Sequence, residues 1–448
     1  MQRLIFDETH YPPERLFRRP GPEIESASWL NRPPPDNFIE APMDKGKEIF
    51  HFTEFSYNEI PETVWKAWMD CASAWHAEPF RAPTWVRDQP WMTSSIPYAR
   101  LLVGMDERDN YLGFWPYQME TKRIKGFLPI HLCCPWGGDN QADPGVGGRQ
   151  YFWTLCTPDP PPGFAAAFVE TFMERTHWNM LQTGDVRKNH PFSLAWEDEL
   201  KRKRLRVLRK QHDAAIIGPW DSFKNYLASL SQNWRKHYRR VYRQVANGKV
   251  SVEQWAAFPD DALARVVKRI YLIYRDSWKV DSEEVVVNLS VPSTLANFSA
   301  RIAAFAREDG LHVVFIKVDG DDAAFHVGVS HGDMSCALQT AYREKYASHG
   351  VGFIAQMEYF RYTIEQGMHE RNLLGFIDYK KNFGAEVSQS KLYTVFSRDT
   401  IGSLAWYTQG LSDNIKKISQ QLRKGYAFLN ELPKRNFSTI NHQSRRNI

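Results

Sequence analysis

The chain has 448 residues, with 57 Lys and Arg against 52 Asp and Glu and a formal net charge of +5. A single core rarely grows so large, so two or three domains are expected, and 43% hydrophobic with 14% aromatic residues exclude a globally disordered chain. No apolar run approaches the roughly 20 residues of a membrane-spanning helix, and the first 25 residues lack the apolar core of a secretory signal, which points to a soluble, cytoplasmic protein.

Residues 1–50 hold eight prolines, including Pro33-Pro34-Pro35, and read as an extended arm. Globular patterning starts near Phe52, with helical apolar spacing at Val64, Trp65, Trp68 and Met69. Ala99–Gly104 and Leu112–Met119 read as a β-hairpin around the turn residues 106–110. The Gly- and Asp-rich stretch 136–148 reads as a loop that lines a cleft or simply connects. A helix over 163–176 and a strand over 179–183 follow.

A second cycle begins near Trp220. Apolar residues from 223 to 245 recur at steps of three and four, which predicts one helix over 221–247, stopped by Gly248. Arg235, Arg239 and Arg243 form a stripe on its other face. Further helices are expected over 261–279 and 293–308, a hairpin over 312–330 and a strand over 336–342. Then come Glu344–Gly352, a helix through Phe353 and Ile364, a strand at 373–377, Asp378–Gly384 and a last strand at 391–397. The tail from 411 reads as a basic amphipathic helix. Both cycles share a helix, hairpin, strand, helix rhythm, although no repeat exists at the sequence level.

Charge is unevenly spread. Residues 201–243 carry thirteen Lys and Arg against Asp213 and Asp221, a net of +11, and 401–448 carry eight against Asp413 and Glu431, a net of +6. Such clusters suit phosphate-bearing partners, and solvated helix faces give the same statistics. The five cysteines are odd in number and fit no zinc spacing, so they read as structural thiols, with no metal expected. His326 and His331 likewise read as structural, and Trp278 as core.

The strand, Gly-x-Gly turn and helix at 336–366 are the sequence's clearest chemical feature. The first turn of a helix leaves backbone N–H groups unpaired and favours an anion, and glycines let a bulky diphosphate approach. A lone Gly-x-Gly also serves many turns for steric reasons alone. Strand 336–342 could supply backbone N–H groups to an oxyanion, and Glu344 and His349 are the bases available beside the loop. Equally, they are a first-turn acid and a loop histidine.

Three segments, Leu230-Ser231-x-Asn233-x-Arg235 through Arg239-Arg240, Ser277-Trp278-Lys279, and His312 through Gly350, Gly352, Tyr379-Lys380 and Phe383-Gly384, occur in an order that resembles the CelD-like or BioF-like acyltransferases of the GNAT superfamily. These are relatives of the FemAB peptidyltransferases. The likeness covers about 220–395 well and 52–219 loosely. It implies an α/β (α+β) fold of tandem GNAT-like domains, at 52–219 and 220–400, each a twisted mixed sheet flanked by helices, with a basic tail at 401–448.

The resemblance further implies an acyl donor, acetyl-CoA or another acyl-CoA, in the second domain. The loop aligns at Ala347-Ser348-His349-Gly350-Val351-Gly352, so that Ser348, Gly350, Val351 and Gly352 hold the donor, with Ala347 where relatives carry Gln or Arg. Arg235 and Arg239 are candidates for its phosphates. Lys380 is expected to stabilise phosphate or transition-state charge, and Tyr379 to protonate the leaving thiolate. The implied acceptor is a small molecule or cell-envelope precursor. FemAB-type relatives use an aminoacyl-tRNA donor, which makes tRNA the alternative partner; a non-catalytic binding subunit is the third reading.

Overall fold

The computed structural model describes residues 49–409, except 75–78, 88–95, 125, 137–154, 158, 176, 185, 188–190, 260–261 and 282–287. The proline-rich arm, most of the loop at 136–148 and the basic tail lie outside the described residues.

The first half runs β1 (His51–Ser56), α1 (Glu62–Ala74), β2 (Ala99–Met105), β3 (Tyr111–Ile124), β4 (Leu128–Cys134), β5 (Leu155–Cys156), α2 (Phe164–Arg175), β6 (Met180–Gln182), β7 (Val186–Arg187), α3 (Pro191–Arg202) and β8 (Arg206–Ile217). The second half runs α4 (Phe223–Ser229), α5 (Gln232–Ala246), β9 (Val250–Trp255), α6 (Ala262–Arg275), α7 (Pro292–Arg307), β10 (Leu311–Val318), β11 (Asp321–His331), β12 (Met334–Tyr342), α8 (Val351–Glu365), β13 (Glu370–Gly375) and β14 (Glu386–Phe396). Two 3-10 turns, Glu344–His349 and Asp378–Phe383, flank the last crossover.

The same run occurs twice. β2, β3 and β4 are antiparallel neighbours, α2 crosses over, and β6 returns parallel to β4. β10, β11 and β12 are likewise antiparallel, α8 crosses over, and β13 returns parallel to β12. The strands that follow join the two runs: β14 pairs with β6 and β8, and β8 pairs with β13. The result is one continuous mixed sheet with helices on its faces. One apolar cluster packs α1, α6 and α7 on one face, and another packs α4, α5 and α8 against β10, β11 and β13.

The helix expected over 221–247 is two helices. Leu230 is extended at φ −67° and ψ 154°, and the hydroxyl of Ser231 accepts from Trp234 N at 3.4 Å to cap α5. Apolar spacing continues across the break, so periodicity hides it. Cys71, Cys133, Cys134 and Cys336 are buried free thiols, as expected of packing residues.

Two carboxylates tie the sheet to its helices. Glu197 of α3 meets Arg209 at 2.8 Å, Tyr393 Oη at 2.8 Å and Lys391 at 3.3 Å. Glu253 of β9 meets Arg269 at 2.6 Å and Lys317 at 2.7 Å. The Arg209 and Arg269 hydrogen bonds hold the two carboxyls down at about 2. A carboxyl depressed in the folded state adds stability above its unfolded value, near 4.5, and loses it as pH falls toward 2. The denaturant midpoint should therefore fall between pH 5 and pH 2.5. Replacing both glutamates with Gln should flatten that slope; an equally steep slope in the double variant contradicts these pairs as its source.

Candidate active site

β12 and β13 pair in parallel over Met334–Cys336 and Glu370–Asn372, and no further pairing between them follows among the described residues. A distortion in β13 sits where they part. Leu374 has φ +61°, the left-handed region that a leucine rarely adopts. The register against β8 shifts between Asn372 and Gly375, and Asn372 Oδ1 accepts from Leu374 N at 2.7 Å. A bulge of this kind bends its strand. Beyond it the β13-facing edge of Ala337–Tyr342 is left to a cleft of about 580 Å³.

Lys380 clamps the bulge. Its Nζ donates to the carbonyls of Leu373 and Gly375, both at 2.6 Å, one on each side of Leu374. An ammonium has three donors, so one remains for the cleft that Lys380 lines. The turn carrying Lys380 is fixed by Phe383, whose ring lies 5.1 Å from Trp234 and 5.6 Å from Phe360, and whose carbonyl accepts from Tyr226 Oη at 3.0 Å. Across the cleft, Lys279 Nζ donates to Gln339 Oε1 of β12 at 2.9 Å. Burial brings both ammonium groups down to about 8. Two cations therefore face one apolar cleft.

At one end of the cleft, Gly350 at φ +67° closes the turn Glu344–His349 and opens α8. A Cβ on Gly352 would lie 2.8 Å from Tyr342 Cδ1, so only glycine leaves this approach clear. The first N–H groups of α8 thus border the cleft, the arrangement that receives a phosphate. Gly352→Ala should displace the Tyr342 ring into the cleft and weaken binding of a phosphate-bearing donor at least tenfold by calorimetry; unchanged affinity would remove the loop from the site.

Of the residues expected from sequence, Lys380, Tyr379 and Gly352 line the cleft. Tyr379 is half-exposed at its mouth, and burial of its ring pushes the phenol up. Gly350 and Val351 form the turn into α8, with Val351 buried, and Ser348 is exposed on the preceding turn. Glu344 and His349 lie on that turn outside the cleft lining. His349 Nδ1 is 2.6 Å from Gln244 Oε1. Arg235 donates to the Ala228 carbonyl at 2.7 Å, and Arg239 is exposed; neither lines the cleft.

Trp278 is 44% exposed at the cleft, not core, and His326, buried and stacked on Tyr359, also borders the cleft. Lys279, Gln339 and Gln356 were not singled out as site residues from sequence. Lys279 had a signal, its place in the Ser277-Trp278-Lys279 segment. A second cavity, of about 480 Å³, lies against His131, Asn179, Arg202 and Arg398. No group of residues suited to a metal ion occurs among the described residues, nor any helix long and apolar enough to cross a membrane.

The splayed parallel strands, the glycine turn and the crossover helix define a GNAT-type acyl-transfer fold. Residues 232–382 match the family described as an acetyltransferase (GNAT) domain, so the second half of the chain carries a GNAT domain. Among solved structures, the fold is similar to that of FemX, with 11% identity, TM-score 0.51, and coverage of 76% of this chain and 96% of that one. The C-terminal domain of a putative lysylphosphatidylglycerol synthetase from Agrobacterium fabrum also aligns, with 12% identity, TM-score 0.42, and coverage of 78% and 95%. A tandem GNAT protein from the clavulanic acid biosynthesis pathway aligns with 11% identity, TM-score 0.37, and coverage of 77% and 98%. No curated protein sequence matches the chain.

Proposed function

We propose that the chain is an acyltransferase that moves an acetyl or other acyl group from a coenzyme A thioester to an amine or hydroxyl acceptor, such as a cell-envelope or polysaccharide precursor. The observation that carries this reading is the parting of β12 from β13 beside the first turn of α8, with Lys380 clamped at the point of divergence. The donor diphosphate would rest on the N–H groups after Gly350, and the rest of the donor would run along the free edge of β12. Attack by the acceptor nitrogen or oxygen on the thioester carbonyl places negative charge on the carbonyl oxygen. The third N–H of Lys380 and the N–H groups of β12 would stabilise that charge. Collapse of the tetrahedral species breaks the C–S bond; Tyr379, at the mouth, would give the thiolate its proton, and the proton lost by the acceptor nitrogen or oxygen would return through solvent to the Tyr379 phenolate.

One observation favours a second reading, an aminoacyl transferase that uses aminoacyl-tRNA. Helix α5 touches the glycine turn, through Gln244 on His349 and Val241 on Gly350, and Arg239 and Arg240 are exposed along it. A polyanion at the turn would meet that face. Thermal-shift titrations with acetyl-coenzyme A, longer acyl-coenzyme A species and charged tRNA separate these readings. A ligand at 100 times its Kd should add about 2.7 kcal/mol of stability. A shift with a thioester supports the first reading. A salt-sensitive shift with charged tRNA alone would replace it with the second, and silence with every donor would leave a non-catalytic GNAT-fold binding subunit.

A further inference from the structure

The floor of the cleft carries nitrogen atoms that the transfer chemistry above leaves unused. His326 of β11 is 1% exposed and Gln356 of α8 is 9% exposed, and both line the cleft. Neither ring nitrogen of His326 has a hydrogen-bond partner, and neither does Nε2 of Gln356. Packing holds the imidazole in place, stacked on Tyr359 with ring centroids 4.2 Å apart. A buried donor or acceptor left unpaired is costly, so a group that satisfies these atoms gains affinity that a hydrocarbon cannot.

Three features narrow the chemistry of that group. A neutral imidazole offers one N–H and one acceptor nitrogen, and burial, which pushes His326 down to about 3, keeps it neutral. His326 is therefore a hydrogen-bonding partner and a poor general base. Lys279 and Lys380 line the same cleft, and the charge of Lys279 is felt at His326, so a cationic substituent is disfavoured there. Finally, Gln356 lies four residues beyond Gly352 on α8, one turn along the same face. A donor that enters past Gly352 runs toward Gln356.

We propose that the transferred acyl group carries an oxygen substituent, a hydroxyl or a carboxylate, which His326 and Gln356 hydrogen-bond at the cleft floor. This rests on the thioester-donor reading above and narrows it. Hydroxyacyl and dicarboxylic acyl groups are then preferred over hydrocarbon acyl groups of the same length, and over α-aminoacyl groups.

Calorimetric titration of the full chain with coenzyme A, butyryl-coenzyme A, 3-hydroxybutyryl-coenzyme A and succinyl-coenzyme A tests this. At least one oxygen-bearing thioester should bind about tenfold or more tighter than butyryl-coenzyme A, and which one does so separates hydroxyl from carboxylate. His326→Phe and Gln356→Leu should each erase the preference and bind butyryl-coenzyme A at least as well as before. Equal wild-type affinity for all three thioesters overturns the proposal and leaves the donor reading standing, without recourse to any variant. So do variants that weaken coenzyme A and every thioester alike, since His326 and Gln356 would then hold the pantetheine arm. No binding of any coenzyme A species overturns the donor reading and this proposal with it.

Discussion

Lys380→Met should lower acyl transfer by about 10²–10³-fold, the usual cost of losing one preorganised donor at a developing oxyanion. Methionine keeps the apolar stem and removes the ammonium that bridges the Leu373 and Gly375 carbonyls. Release of free coenzyme A from acetyl-coenzyme A, with a panel of amino sugars and amines as acceptors, reads the rate. Circular dichroism should report an unchanged fold. Burial brings this ammonium down to about 8, so it is charged below that pH and loses its charge above it. The ratio of wild-type to variant rate should accordingly shrink as pH rises through 8. A variant that keeps more than a third of the wild-type rate at pH 7 would take Lys380 out of the chemistry.

Arg371→Met should cost about 3 kcal/mol of stability, because it strips the donor from several buried acceptors at once. Arg371 is fully buried at the start of β13. Its guanidinium donates to Thr363 Oγ1 at 2.9 Å, the Gly218 carbonyl at 2.9 Å and the Met368 carbonyl at 3.0 Å. It thereby ties the end of α8 and the exit of β8 to the strand that Lys380 clamps two and four residues later. Arg371→Lys should recover part of the loss, since lysine replaces some of the hydrogen bonds but lacks the planar fork. The guanidinium chloride midpoint measures both. A shift below about 0.5 kcal/mol for the Met variant, the range of ordinary surface substitutions, would contradict this account of how β13 is held.

Local patterning made the second half readable. The hairpin of β10 and β11, the strand β12 and helix α8 all fall close to where alternation and 3.6-residue spacing put them. Their order also exposed the glycine turn and Lys380. Strand β8 was not legible, although it lies between β14 and β13 near the middle of the sheet. Its first half, Arg206 to Gln211, is too charged to alternate, and its burial comes from strands more than 150 residues away. The exchange that pairs β14 with β6 and β8 is invisible for the same reason, since no local signal encodes a long-range register.

The cleft shows the same division. Gly350 and Gly352 are visible as residue types, whereas the Leu374 bulge that bends β13 where it leaves β12 is a backbone state of an ordinary leucine. Trp278 reads as core because tryptophan usually is, yet the parting of the strands leaves it at a mouth. His326 reads as structural, five residues from His331 across a hairpin. Only the fold brings it beside Gln356 and the two lysines.

Hydrogen–deuterium exchange with and without acetyl-coenzyme A tests the central claim most directly, because it locates a bound donor on the chain. Protection is expected at the first turn of α8, around 350–356, and along 337–342 of β12, with smaller changes at 373–383. Protection confined to the cavity beside His131, Arg202 and Arg398, or no protection at a concentration that saturates binding, would contradict the assignment of the β12–β13 cleft as the donor site.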